Sequence, residues 1–226
     1  MSRDTWEEAK DIIGKDHRLE LGPYYAHQAL FEPRHLLFTL SRSKFAARML
    51  PLDQAVSVLE LGCSEGIGTV MLSEGGNEVT GVDFDKEAID HAKTSLRGTG
   101  IRFLCDDFLG KTYGSYDAVI SLDVIEHIPR SGVDEFLRTV CMNLKEDGFC
   151  VIGTPNETAS RYAGDASRAA HLSAFTGEEL LVLMRRYFRN VFLFGMNDEV
   201  VHTGFSPMAH YLMVLGCGRT YEGEGT

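Results

Sequence analysis

The stretch VLELGCSEGIGT, Val58 to Thr69, decides the fold. An apolar run ends at Leu61, glycines stand at 62, 66 and 68, and a helical pattern follows. Gly62 permits a tight turn and Gly66 a close approach of backbone to a ligand, while the unpaired N–H groups of the helix start offer hydrogen bonds. This is the strand–turn–helix form of a nucleotide site. The next apolar run, VTGVDF, brings Asp83 to a strand end, where an acidic side chain can accept both hydroxyls of a ribose. Taken singly, the glycines could serve only a turn and Asp83 could cap the helix that starts near Lys86. Their shared strand–turn–helix–strand order favours the nucleotide reading.

Two features separate this loop from the dinucleotide fingerprint G-x-G-x-x-G. Ser64 stands where that pattern requires glycine, and Glu60 places a carboxylate just before the turn. An anionic pyrophosphate is repelled by that carboxylate, whereas the cationic methionine portion of a sulfonium cofactor is attracted to it. S-adenosylmethionine is therefore the expected cofactor, ahead of NAD.

Outward from this stretch, short apolar runs alternate with helical segments. VSVLEL, EVTGVDF, IRFLC, YDAVISL and GFCVIGT read as parallel strands; Gly66–Glu74, Lys86–Leu96 and Gly132–Leu144 read as the helices between them. NVFLFGM and HYLMVLGC, joined by NDEVVHTGFSPMA, predict a closing antiparallel hairpin at the sheet edge. The expected fold is thus α/β: a doubly wound, mostly parallel, seven-stranded sheet with an antiparallel last strand. Ahead of it, residues 1–51 read as an N-terminal helical cap, with a helix through Ile13 and a longer one from Arg34 to Leu50 that ends at Pro51. The core is expected over 52–218 and a flexible tail over 219–226. Thr176 and Glu179 form a capping box for a helix reaching about Tyr187. The polar stretch from Asn156 to Phe175 is too long for a simple connection, and loops of that kind carry function.

Composition narrows the partners. A net charge of -11 repels nucleic acid phosphates and anionic membrane surfaces, so a small-molecule acceptor is expected, with no nucleic acid and no membrane. No run of about 18 apolar residues and no apolar leader is present, which points to a cytoplasmic protein. The five cysteines lack zinc spacing and no H-x-x-x-H or H-x-H pair occurs, so no metal is expected. The oligomeric state is not set by the sequence.

The motif series ELGCSEG, then Asp83, then CDDF at 105–108 resembles the class I S-adenosylmethionine-dependent methyltransferases. The resemblance implies that Glu60, Gly62, Cys63, Ser64 and Gly66 hold the methionine end and the turn, Asp83 and Phe84 the ribose and adenine, and Asp107 and Phe108 the adenine. SLDVIEHIP, Ser121 to Pro129, is similar to an element of the quinone-biosynthesis methyltransferases and of many that act on sugars and secondary metabolites. It implies that Leu122 touches adenine and that Glu126 and His127 face the acceptor. His127 is the candidate general base, as a strand-end histidine able to deprotonate or orient a hydroxyl. Tyr24 and Tyr25, in an aromatic segment expected to close over the cofactor, together with His27, Arg161, His171 and His202 in irregular segments, are candidate acceptor-binding residues. Arg42 and Arg168 add to a basic set that suits an anionic acceptor such as a nucleotide-linked sugar. The expected activity is methyl transfer to a hydroxyl, or less readily an amine, of a polar small molecule such as a sugar or secondary metabolite. An NAD-dependent oxidoreductase and a non-catalytic methyltransferase-like subunit are the competing readings.

Overall fold

A computed structural model describes residues 3–14, 18–162, 164 and 170–221. Arg168 and residues 222–226 of the expected tail lie outside the described residues. Eight strands form one sheet: β1 (Ser57–Leu61), β2 (Glu78–Asp83), β3 (Arg102–Cys105), β4 (Tyr116–Leu122), β5 (Leu144–Pro155), β6 (Phe188–Asn197), β7 (Val200–His202) and β8 (Tyr211–Arg219). Their order is β3-β2-β1-β4-β5-β8-β6-β7. The pairs among β1 to β5 are parallel, and β8 runs antiparallel to both β5 and β6.

The described helices are α1 (Arg3–Ile13), α2 (Pro23–Phe31), α3 (Pro33–Met49), α4 (Ile67–Leu72), α5 (Lys86–Ser95), α6 (Val133–Met142) and α7 (Gly177–Met184). Asp85 caps α5 by accepting from the N–H groups of Glu87 and Ala88. The Thr176–Glu179 capping box closes the start of α7 as its sequence predicts.

Strand pleating sends alternate residues to opposite faces, and both faces are covered. Leu59 and Leu61 of β1 pack with Phe136, Leu137 and Val140 of α6 and with Leu180 and Met184 of α7. Val58 packs on the other face with Ala118, Ile120 and Val151 and with Phe45 and Ala46 of α3. α3 is therefore part of the sheet's cover.

One detail of the closing strands differs from expectation. The sheet has eight strands instead of seven, because Val200–His202 pairs with β6 inside what reads as a loop. Three residues are too few to show a two-residue apolar period. The closing strands pair as the expected antiparallel hairpin at that end of the sheet, β8 lying between β5 and β6 with the short β7 outermost. Gly216 of β8 permits this packing, since a Cβ there would lie 2.7 Å from Cγ of the fully buried Phe188. Gly216→Ala is expected to cost about 1–3 kcal/mol of stability, lowering the unfolding midpoint by roughly 2–10 °C; an unchanged midpoint in thermal unfolding would contradict this packing.

Candidate active site

The turn after β1 is held from below by β2. Val82 O accepts from the N–H groups of Gly62 (2.8 Å) and Cys63 (3.2 Å). Gly62 lies at φ 84°, and a Cβ there would overlap the Val124 side chain just beyond β4, so both conformation and space demand glycine. Ser64, which departs from the dinucleotide pattern, takes a left-handed φ of 48° and donates its N–H to Asp83 Oδ2 at 2.8 Å. Asp83 Oδ1 accepts from the N–H of Asp85 at 2.9 Å. Asp83 is thus a brace between the turn and the start of α5, while the capping of that helix belongs to Asp85.

The remaining cofactor candidates divide by what their side chains touch. Cys63 is buried in a small core with Ile89, Ala92, Leu96 and Phe103, so it offers a ligand its backbone only. Phe108 likewise turns its ring into the core, 6.3 Å from that of Phe136. Phe84 and Asp107 are exposed beyond β2 and β3. Leu122 lies across Gly153, where a Cβ would come within 2.7 Å of its Cδ2.

Among the described residues, Glu60 Oε2 and Thr69 Oγ1 are buried without a hydrogen-bond partner. Buried polar atoms are ordinarily satisfied, and two orphans beside a glycine turn fit a ligand carrying a donor and positive charge. The residues present therefore fit the methionine end of S-adenosylmethionine. Burial, and secondarily the nearby Asp83 charge, pushes the Glu60 carboxyl up to about 7. Between the ordinary carboxyl range and that value the folded protein holds a proton that the unfolded chain has lost, so this group's contribution to stability falls as pH rises through the window. Glu60→Gln is expected to make the unliganded unfolding midpoint less sensitive to pH between about 5 and 7.5; equal slopes for both proteins would refute the buried, protonated assignment.

On the acceptor side, Asp123 follows β4 at φ 57° and donates its N–H to Gly153 O at 3.0 Å. Its carboxylate receives Arg42 Nη1 at 2.7 and 2.8 Å, and the guanidinium lies 4.0 Å from the centre of the Tyr211 ring. Arg42 is thus spent within the protein and is not a free cation for an anionic acceptor.

A cavity of about 620 Å³ opens beyond the ends of β4 and β5. Apolar surface predominates in it, from Phe38, Pro155 and Tyr162 among others, with Glu126, Asn156 and His171 as polar groups. Glu126 is buried, its Oε2 accepts from Thr154 Oγ1 at 3.1 Å and its Oε1 has no partner. The exposed His127 ring meets that of His171 edge-on, 5.2 Å between centres. His127 Nδ1 lies 3.1 Å from Ala170 O; a carbonyl accepts only, so Nδ1 carries the hydrogen and Nε2 keeps a lone pair in the neutral ring.

Of the candidate acceptor residues only His171 is among those lining this cavity; Tyr24, Tyr25, His27, Arg161 and His202 are not, nor is the candidate base His127. His27 is exposed on α2 with its ring against Phe31. Arg161 lies over the Tyr162 ring outside the lining. His202 spends both ring nitrogens inside the closing hairpin, on Asn197 Oδ1 and on the Gly204 N–H. Tyr24 is half exposed on α2, its phenol pushed up by burial and then by the Asp123 charge, and Tyr25 is buried near the turn. Conversely, His210, Phe38 and Asn156 line the cavity without having been anticipated. His210 sits in a run that reads only as a strand, and Phe38 on a helix that reads only as core.

No metal was expected, because no sequence pair has ligand spacing. The structure nevertheless gathers Glu126, His127 and His171, each offering one ligand atom, all within 4.8 Å of one another. His171 arrives from the long loop after β5, a juxtaposition invisible to short-range spacing.

Comparison with known proteins agrees with this geometry. Residues 58–148 match the family described as "Methyltransferase domain". A ubiquinone biosynthesis O-methyltransferase of Sinorhizobium medicae is 27% identical over 135 residues, covering 58% of this chain and 50% of that one. The chain thus spans about half the length of the curated relatives it matches. The plantazolicin methyltransferase BpumL in complex with SAH superposes with a TM-score of 0.65 at 16% identity, over 87% of this chain and 89% of that one. A possible histamine N-methyltransferase of Thermotoga maritima gives 0.66 at 16% identity, over 86% and 94%. No helix among the described residues is long and apolar enough to cross a membrane. Residues 58–148 thus resemble a methyltransferase domain, and the glycine turn braced by Asp83 and the buried Glu60 carboxyl fit one of the class I, S-adenosylmethionine-dependent type.

Proposed function

We propose that this chain transfers a methyl group from S-adenosylmethionine to a hydroxyl of a small molecule with a substantial apolar body, a ring-bearing secondary metabolite rather than a nucleotide-linked sugar. The observation that carries the reading is the largely apolar cavity beyond β4 and β5, whose loop touches the cofactor turn through Val124 and Gly62. Among the described residues the lining offers no unpaired arginine or lysine of the kind a nucleotide sugar would require: Arg42 is tied to Asp123, and Arg161 lies outside. The relatives named for ubiquinone biosynthesis act, by that name, in making an apolar ring compound, which agrees with this preference.

When bound, S-adenosylmethionine supplies an electrophilic methyl on a sulfonium. The protein's part is to hold an acceptor oxygen in line and to take or orient its proton. His127 does this through Nε2, with Nδ1 fixed on Ala170 O. His171 packs against it, its own basicity lowered by burial and then by the His127 ring. An oxidoreductase reading is disfavoured by Glu60 under the turn, whose carboxyl gives a pyrophosphate no positive partner and repels it once ionised.

A second reading rests on the gathered Glu126, His127 and His171: a divalent cation held by the three would bind the acceptor hydroxyl directly and acidify it. Two measurements on a panel of hydroxylated aromatic acceptors separate the readings. If His127 is the base, His127→Ala lowers kcat about a hundredfold, S-adenosylhomocysteine affinity stays put and EDTA has no effect. If a cation does the work, EDTA abolishes turnover and Mg²⁺ or Zn²⁺ restores it. Turnover of nucleotide sugars but of no aromatic acceptor would overturn the substrate class.

A further inference from the structure

The N-cap of α2 is Gly22, which has no side chain with which to close the helix start. The cap comes instead from the cofactor turn. Glu65 Oε1 accepts from the N–H of Tyr24 at 2.8 Å and Glu65 Oε2 from that of Tyr25 at 3.1 Å, across 41 and 40 residues of chain. The carboxylate is almost fully buried, 3% exposed. It sits directly against Gly22, where the oxygens would be 2.5 and 2.6 Å from any Cβ. Gly22 has an ordinary φ of -68°, so glycine is required there by space alone. A carboxylate on two helix-start N–H groups also meets the positive end of the helix dipole, and such charge-assisted bonds are about twice as strong as neutral ones.

Glu65 lies between Ser64, which the turn binds to Asp83, and Gly66, whose φ of 79° leads into α4. Its position along the chain is thus set by the same turn that fits the cofactor. The face of α2 that it draws inward carries Tyr25 and Gln28, both buried, and the Gln28 side-chain amide has no hydrogen-bond partner. α3, which follows α2 directly, is pinned in turn by Arg42 to Asp123 at the acceptor loop.

We propose that Glu65 is a positioning residue for cofactor capture: it latches α2 onto the cofactor turn, so that the inner face of that helix closes the cofactor pocket. The proposal rests on the reading of the turn as the S-adenosylmethionine site. Loss of the latch frees α2 without touching the turn's own hydrogen bonds to Val82 and Asp83, so binding should suffer while the transfer step, once the cofactor is saturating, should not.

The test uses the full chain with Glu65→Ala, Gly22→Ala and the near-isosteric Glu65→Gln, reading S-adenosylhomocysteine affinity by calorimetry, KM and kcat, and amide hydrogen exchange at Tyr24 and Tyr25. Glu65→Ala and Gly22→Ala are expected to weaken affinity and raise KM for S-adenosylmethionine about tenfold, with kcat within twofold and faster exchange at the two amides. Glu65→Gln, which keeps one acceptor oxygen, is expected to fall between Glu65→Ala and the wild type. Affinity unchanged in Glu65→Ala while the two amides exchange faster would overturn the proposal, as would a loss of kcat in proportion to affinity. A wild type that binds no S-adenosylhomocysteine would refute the cofactor reading itself, a result separable from any difference among the variants.

Discussion

The arrangement depends on the contact between Gly62 and Val124. Only a residue without a side chain lets the turn after β1 and the loop after β4 meet so closely. Because β1 and β4 are hydrogen-bonded neighbours in the sheet, their carboxyl ends emerge side by side. That contact brings the cofactor turn and the acceptor loop together, and sets Glu60, Asp123 and Glu126 on one edge of the sheet. Open α/β sheets bind ligands beyond the carboxyl ends of their strands, and the proposed cofactor and acceptor surfaces lie there with little space between them.

Placing three carboxylates there is costly in an unliganded protein. Burial raises Glu60 and Glu126, and each keeps one oxygen without a partner. Glu60 keeps an unpaired oxygen beneath the turn, whereas Asp123 is neutralised by Arg42 from α3. The N-terminal helices are therefore more than a cover: α3 supplies the cation that an acidic loop needs, and α2 takes its helix cap from the cofactor turn. Residual strain and orphaned polar atoms at such a site are the mark of groups arranged for a ligand.

Much of this was legible along the chain. The glycine turn, the alternation of strands and helices and the Thr176 capping box are local patterns, and each reads correctly because one strand, turn or helix end produces it. What was not legible depends on contacts between distant segments. The meeting of His171 with His127, the pairing of Arg42 with Asp123 and the insertion of β8 between β5 and β6 join residues that no periodicity relates. His202 and Arg161 were singled out by residue type in irregular segments; the fold spends the first on a hairpin and leaves the second on the surface. Asp83 shows both outcomes: its place at the end of β2 was readable, and its bond to the Ser64 N–H was not.

The central claim is that this turn accepts a sulfonium nucleoside and not a dinucleotide. Calorimetry of the wild-type chain with S-adenosylhomocysteine and with NADH, repeated on Asp83→Ala, tests it most directly. The account predicts binding of S-adenosylhomocysteine that the substitution weakens, and no heat from NADH. Binding of NADH, or no binding of S-adenosylhomocysteine by a folded wild type, would contradict it.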